Sequence, residues 1–155
     1  MHLDLTISDY NISGEPLPEN VADLILQNHI VPMQEVINKM PVAVAVSKKS
    51  GFRSWLWEKQ KNRSGNSQHC FGHQEDGSFN STAKGAADYT CDDFAHQVEV
   101  FAELIAKETE YTRICIYPNK LFIHADFKHP KKNECQIFYD HSDGNSWQYQ
   151  KTISK

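Results

Sequence analysis

From Asp92 onward the sequence commits to one long helix and then to strands. Asp92 and Asp93 are good N-cap residues, and Phe94, Val98, Phe101 and Ile105 follow at helical spacing on one apolar face, which predicts a helix near 92–109. Four segments rich in β-branched and aromatic residues come next, at 112–117, 121–127, 134–140 and 147–153. Pro118-Asn119 and Ser142-Asp143-Gly144-Asn145 supply turn signals between them. A helix running into an uninterrupted set of strands predicts an α+β fold, with this central helix packed on a small antiparallel meander.

The first third of the chain reads as helical. Pro18 and Glu19 suit a first turn, and Val21, Leu24 and Ile25, then Val36, Ile37 and Met40, recur at helical spacing. Pro32 removes a backbone donor, so the spacing predicts two pieces, at about 18–30 and 32–40. The run from Val42 to Val46 is expected to be a short buried strand, after which Lys48-Lys49-Ser50-Gly51 turns the chain. A further helix opens around Ser50–Ser54 with Trp55, Leu56 and Glu58 behind it, and 61–66 forms a basic polar loop.

Length, composition and charge exclude several classes. At 155 residues the chain matches one domain, read here as spanning 1–155. A formal charge of −4 gives no general attraction to nucleic acid, and no apolar run approaches the roughly 20 residues that cross a bilayer. Nucleic-acid partners and stable membrane insertion are therefore not expected, and a monomer is favoured. Cys70, Cys91, Cys115 and Cys135 form no Cys-x-x-Cys pair and are read as reduced structural thiols, with a disulfide as the alternative. The first residues, Met1-His2-Leu3-Asp4-Leu5, lack the basic and apolar regions of a secretory signal, so synthesis and residence in the cytoplasm are the expectation.

Two separate stretches carry residues suited to a metal. Ser67-Gln68-His69 and Lys84-Gly85-Ala86-Ala87-Asp88 put an imidazole and a carboxylate into one polar, glycine-rich segment. In the alternating run from Phe122 to Phe127, a period of two sends His124 and Asp126 to the same face. His69, Asp88 and His124 make a three-ligand set suited to zinc, which accepts nitrogen and oxygen donors and keeps a fourth position for water in catalytic sites. His2, His29, His96 and His141 are read as solvated, and Trp55, Trp57, Trp147 and Tyr149 as core and rim, the alternative being that a few of them line a cleft for a peptide or sugar.

Taken in order, Ser50-Gly51-Phe52-Arg53-Ser54, Ser67-Gln68-His69, Gly85-Ala86-Ala87-Asp88 and Phe122-Ile123-His124-Ala125-Asp126 carry a resemblance. The chain resembles zinc D-alanyl-D-alanine carboxypeptidases and related peptidoglycan peptidases, in particular their phage-associated branch, a family related to the hedgehog zinc fold. The likeness covers about residues 5–130 and leaves the last 25 outside it. It implies zinc held by His69, Asp88 and His124 at the sheet. It also implies Arg53 facing the developing oxyanion or a substrate carboxylate, and Ser67 bonded to the substrate peptide. The chain departs from the family pattern Ser-x-His-x-x-Gly-x-Ala-x-Asp by an insertion at about 73–84 between His69 and Asp88, while Gly72 and Ala86 keep their places. The insertion can loop out or form a lid, and it brings His73 as a rival ligand.

The last ligand has two readings: His124 with Asp126 as general base, or His129 in an Asp126-x-x-His129 arrangement. His124 is preferred because it stands on a strand, whereas His129 precedes Pro130. The resemblance implies metal-assisted amide hydrolysis, with Asp126 taking the proton of the attacking water. The substrate expected is a peptidoglycan stem peptide, cut by a carboxypeptidase or an endopeptidase. Such a lysis or wall-remodelling enzyme would reach the cell wall through phage-mediated release or from the virion. A catalytically silent zinc-containing binding module and a phage structural component are the alternatives.

Overall fold

The computed structural model describes residues 4–48 and 50–155; His2 lies outside them. Helices and a six-stranded, mostly antiparallel sheet make an α+β fold. The strands are β1 (Val44–Val46), β2 (Ala86–Cys91), β3 (Arg113–Tyr117), β4 (Phe122–Asp126), β5 (Glu134–Tyr139) and β6 (Gln148–Ser154), in the spatial order β1-β2-β4-β3-β5-β6.

The helices are α1 (Glu19–Leu24), α2 (Val31–Lys39), α3 (Trp55–Gln60) and α4 (Phe94–Glu108). Helix α4 packs on one sheet face, where Tyr89, Ile114, Ile116, Ile123, Ala125 and Ile137 are buried. Period two sends Asp88, Arg113, His124 and Asp126 to the other face. No helix among the described residues is long and apolar enough to cross a membrane.

Three expectations about the backbone are corrected. Pro32 does not split the N-terminal helix. A π-helical turn at Ile25–Ile30 joins α1 to α2, with αR backbone at both joints, and the proline falls in the first turn of α2. The wider π turn before it, in which the Val31 N–H bonds the Leu26 carbonyl, relieves the ring's clash with the preceding carbonyls. The strand expected at 42–46 is a three-residue edge strand whose Ala45 is exposed, not a buried one.

The meander is also not purely antiparallel, because β3 and β5 pair in parallel. The stretch 86–91, to which the sequence pattern assigned no strand, forms β2 and pairs with the edge of β4 away from β3. After β4 the chain therefore joins the free edge of β3, and that forces the parallel register.

His29, expected in solvent, is fully buried in the π turn. Its Nδ1 accepts from the Tyr111 hydroxyl at 2.5 Å, and its Nε2–H donates to the Lys84 carbonyl at 2.7 Å. Tyr10, Tyr89 and Tyr111 extend this into a chain of hydroxyls 2.7 Å apart. Each polar group of this network is thereby satisfied, and the imidazole is neutral: burial pushes its pKa down to about 4.

Candidate metal centre

Each of the three expected ligands is set by a different local device. Ser67 caps a 3-10 turn at Gln68–Cys70, its Oγ accepting the His69 N–H at 3.2 Å. The turn is tied to the 50–54 segment twice: Arg53 N–H donates to the His69 carbonyl at 2.9 Å, and His69 Nδ1–H donates to the Gly51 carbonyl at 2.9 Å. Gly51 is required there. Its φ is +88°, and a Cβ would lie 1.9 Å from the Tyr10 carbonyl oxygen.

Asp88 and His124 face each other directly across the β2–β4 ladder, so residues 36 apart in sequence become neighbours. The Asp88 N–H donates to Ser50 Oγ at 2.5 Å, which fixes the backbone beneath its carboxylate. Asp88 Oδ1 lies 3.0 Å from His124 Nδ1 and 3.4 Å from His69 Nε2. One ligand atom from each residue can be chosen so that all lie within 4.8 Å of one another, and the three side chains are 4%, 7% and 12% exposed.

The outward nitrogen of each imidazole is already committed. His69 gives Nδ1–H to Gly51, and His124 gives Nε2–H to Asp126 Oδ2 at 2.8 Å. Both rings therefore turn their remaining nitrogen toward Asp88, the outer-shell arrangement that fixes a ligating histidine's tautomer. Two imidazoles and one carboxylate arranged in this way could hold a metal ion.

The electrostatics follow from burial and contacts. Burial works to raise the Asp88 pKa and is outweighed by His69 and His124, which hold it well below the usual carboxylate range. Burial pushes His69 down in spite of Asp88. His124 goes the other way, up to about 9, because its bonds to Asp126 and Asp88 outweigh burial. The metal-free site thus holds an imidazolium between two carboxylates.

The rival ligands are elsewhere. His73 stacks on Phe79, with ring centroids 5.1 Å apart, and bonds Asn20 Oδ1 at 3.0 Å. His129 Nε2 pairs with Glu134 at 2.8 Å. The insertion folds into a small hairpin bridged between His73 and Phe79, and none of residues 73–84 lines the cleft at the metal-ligand set. It loops away from the site and is not a lid over it.

That cleft has a volume of about 910 Å³ and includes all three ligands together with Arg53 and Ser67. Arg53 and Arg63 lie 5.4 and 5.7 Å from the Trp57 ring centroid, on the side of the 3-10 turn. Tyr117, Phe122 and Trp147 form an aromatic wall, and Lys48 and Lys120 add positive charge at the rim. Four cationic side chains line this cleft on a chain whose formal charge is −4.

Asp126, expected to be the general base, is fully buried. Its Oδ1 accepts from Arg113 Nε at 3.0 Å and from the Lys128 N–H at 3.0 Å, while Oδ2 accepts from Arg113 Nη2 at 2.5 Å and from His124. Arg113 escaped the sequence reading. Arg113 stands directly opposite Asp126 in the β3–β4 register, a cross-strand charge pair that becomes legible once the strands are aligned. Trp147, grouped in the sequence with the core and rim aromatics, lines the cleft.

Comparison of the chain with family models, curated proteins and solved structures finds no match.

Proposed function

We propose that this chain is a zinc-dependent peptidase that hydrolyses an amide bond in peptidoglycan stem peptides, as a D-Ala-D-Ala carboxypeptidase or an endopeptidase serving phage lysis or wall remodelling. The observation that carries the reading is the convergence of His69 Nε2, Asp88 Oδ1 and His124 Nδ1 in a cleft that also presents Arg53. Two nitrogen donors and one oxygen suit zinc and leave room for a fourth position. Bound there, zinc supplies Lewis acidity toward a scissile carbonyl and acidifies water at neutral pH.

The chain's own residues account for the rest. Arg53 offers a guanidinium to an oxyanion or a terminal carboxylate, with its backbone held by the His69 carbonyl. Ser67 lines the cleft with its Oγ already capping the turn, and its hydroxyl hydrogen remains to donate to a substrate carbonyl. The cations at the rim favour an acidic peptide and speed its encounter. Asp126 is fully buried with both oxygens engaged, whereas Asp143, on the turn after β5, is the carboxylate outside the ligand set that lines the cleft and is the one proposed to take the water proton.

A second reading, a zinc-containing binding module without turnover, draws on the same engagement of Asp126. Mass spectrometry of purified peptidoglycan fragments incubated with zinc-loaded and chelated protein separates the two. A metal-dependent product identifies the bond cut; no product, with one zinc retained per chain, defeats the peptidase reading for that substrate.

A further inference from the structure

We propose that Arg113 and Trp147 are positioning residues of the metal centre, holding Asp126 in the orientation that makes His124 present Nδ1 to the ion. The inference rests on the reading of His69, Asp88 and His124 as ligands and concerns residues one and two steps behind them. Arg113 grips Asp126 with the two-pronged geometry that fixes both carboxylate oxygens at once, Nε to Oδ1 and Nη2 to Oδ2. One of those oxygens receives the His124 Nε2–H, so the plane of the guanidinium sets the plane of the carboxylate and, through it, the rotation of the imidazole.

Trp147 closes this arrangement from the cleft side. Its ring centroid lies 4.5 Å from the Arg113 guanidinium carbon and 5.6 Å from the His124 ring. Its Nε1–H donates to the Tyr117 hydroxyl at 2.8 Å, which fixes the ring's orientation. The indole thus shields an ion pair whose arginine side chain is 20% exposed and whose aspartate is not exposed at all, and in that drier setting the pair holds its geometry more firmly.

Delivery of Trp147 depends on the turn after β5. Asp140 Oδ1 accepts from the Ser142 N–H at 2.8 Å and Oγ at 2.6 Å, and its Oδ2 accepts from the Gly144 N–H at 2.9 Å. The segment beyond residue 140, which the family resemblance leaves out, therefore contributes to the metal centre.

The test is titration of the metal-free chain with Co(II), read by visible absorption and by competition with a chelator. Arg113→Gln should bind Co(II) about 10–100-fold more weakly, the range for losing an outer-shell partner, and should alter the absorption band shape. Trp147→Leu should shift both in the same direction by a smaller factor. It also keeps the test open if the arginine variant does not fold. Added guanidinium ion should restore part of the affinity of Arg113→Ala, which a general loss of fold would not allow. Wild-type affinity and spectrum in a folded Arg113→Gln or Trp147→Leu chain would overturn the inference while leaving the ligand set intact. A wild-type chain whose Co(II) uptake is unchanged by His69→Ala would instead refute the metal centre itself.

Discussion

Asp126 Oδ2 lies 2.8 Å from His124 Nε2, two residues along the same strand, while His124 Nδ1 lies 3.0 Å from Asp88 Oδ1 across the ladder. One imidazole thus links a carboxylate suited to a metal with a carboxylate that orients the ring. Replacing Asp88 or His69 by Ala should weaken zinc binding by more than the roughly 10–100-fold expected for an outer-shell partner such as Asp126. Competition titration against a zinc chelator measures both.

Zinc uptake should release a proton. In the metal-free site the His124 pKa is pushed up to about 9, so the ring is protonated at neutral pH and must lose that proton to ligate. Apparent affinity should therefore fall as pH is lowered from about 9 toward 6. Calorimetry in buffers of different ionisation enthalpy should show about one proton released per zinc at pH 7.5; no release would contradict a protonated His124.

His29 makes stability depend on pH in the acid range. Its folded pKa of about 4 lies below the ordinary 6.5, so between those values the unfolded chain binds the extra proton. The contribution is complete above about pH 6.5 and is lost as pH falls toward 4, at up to about 1.4 kcal/mol per pH unit. His29→Gln can keep both hydrogen bonds but cannot titrate. Urea melts of the metal-free chain at pH 7 and 4.5 should show the wild type losing about 2 kcal/mol more than this variant.

Gly51→Ala should be costly twice over. The added Cβ meets the Tyr10 carbonyl and φ is positive, so thermal or urea melts should show a loss of more than about 2 kcal/mol. The displaced Gly51 carbonyl would also release His69 Nδ1, and zinc affinity should drop in any fraction that folds. A stable variant with unchanged affinity would contradict the account of His69.

The four thiols should be silent in the folded chain. Burial pushes Cys70 and Cys91 up to about 11 and Cys115 and Cys135 up to about 12, and all four are buried and unpaired by disulfides. Titration with an aromatic disulfide reagent should give almost no fast reaction until denaturant is added, and then four equivalents.

Much of this arrangement could be read along the chain because it is local. The apolar face of α4 shows as helical spacing at Phe94, Val98, Phe101 and Ile105, and the alternation at 122–127 puts His124 and Asp126 on one side. What escaped depends on pairing between distant segments. Ala86–Cys91 follows a polar, glycine-rich stretch, and it is a central strand because β1 and β4 flank it. Pro32 signals a break, but the π turn before it absorbs the strain. His29 looks like a surface residue until Tyr111 and the Lys84 carbonyl close around it. The Arg113–Asp126 pair and the approach of Trp147 likewise require the register and the turn after β5.

The most direct measurement is zinc K-edge X-ray absorption on the chain loaded with one equivalent of zinc, beside Asp88→Ala. The account predicts a nitrogen and oxygen shell at about 2.0–2.2 Å, with outer-shell scattering from two imidazoles and no sulfur, and a shell that changes when Asp88 is removed. A spectrum with sulfur ligands, or one identical in Asp88→Ala, would contradict the assignment of His69, Asp88 and His124 as the metal centre.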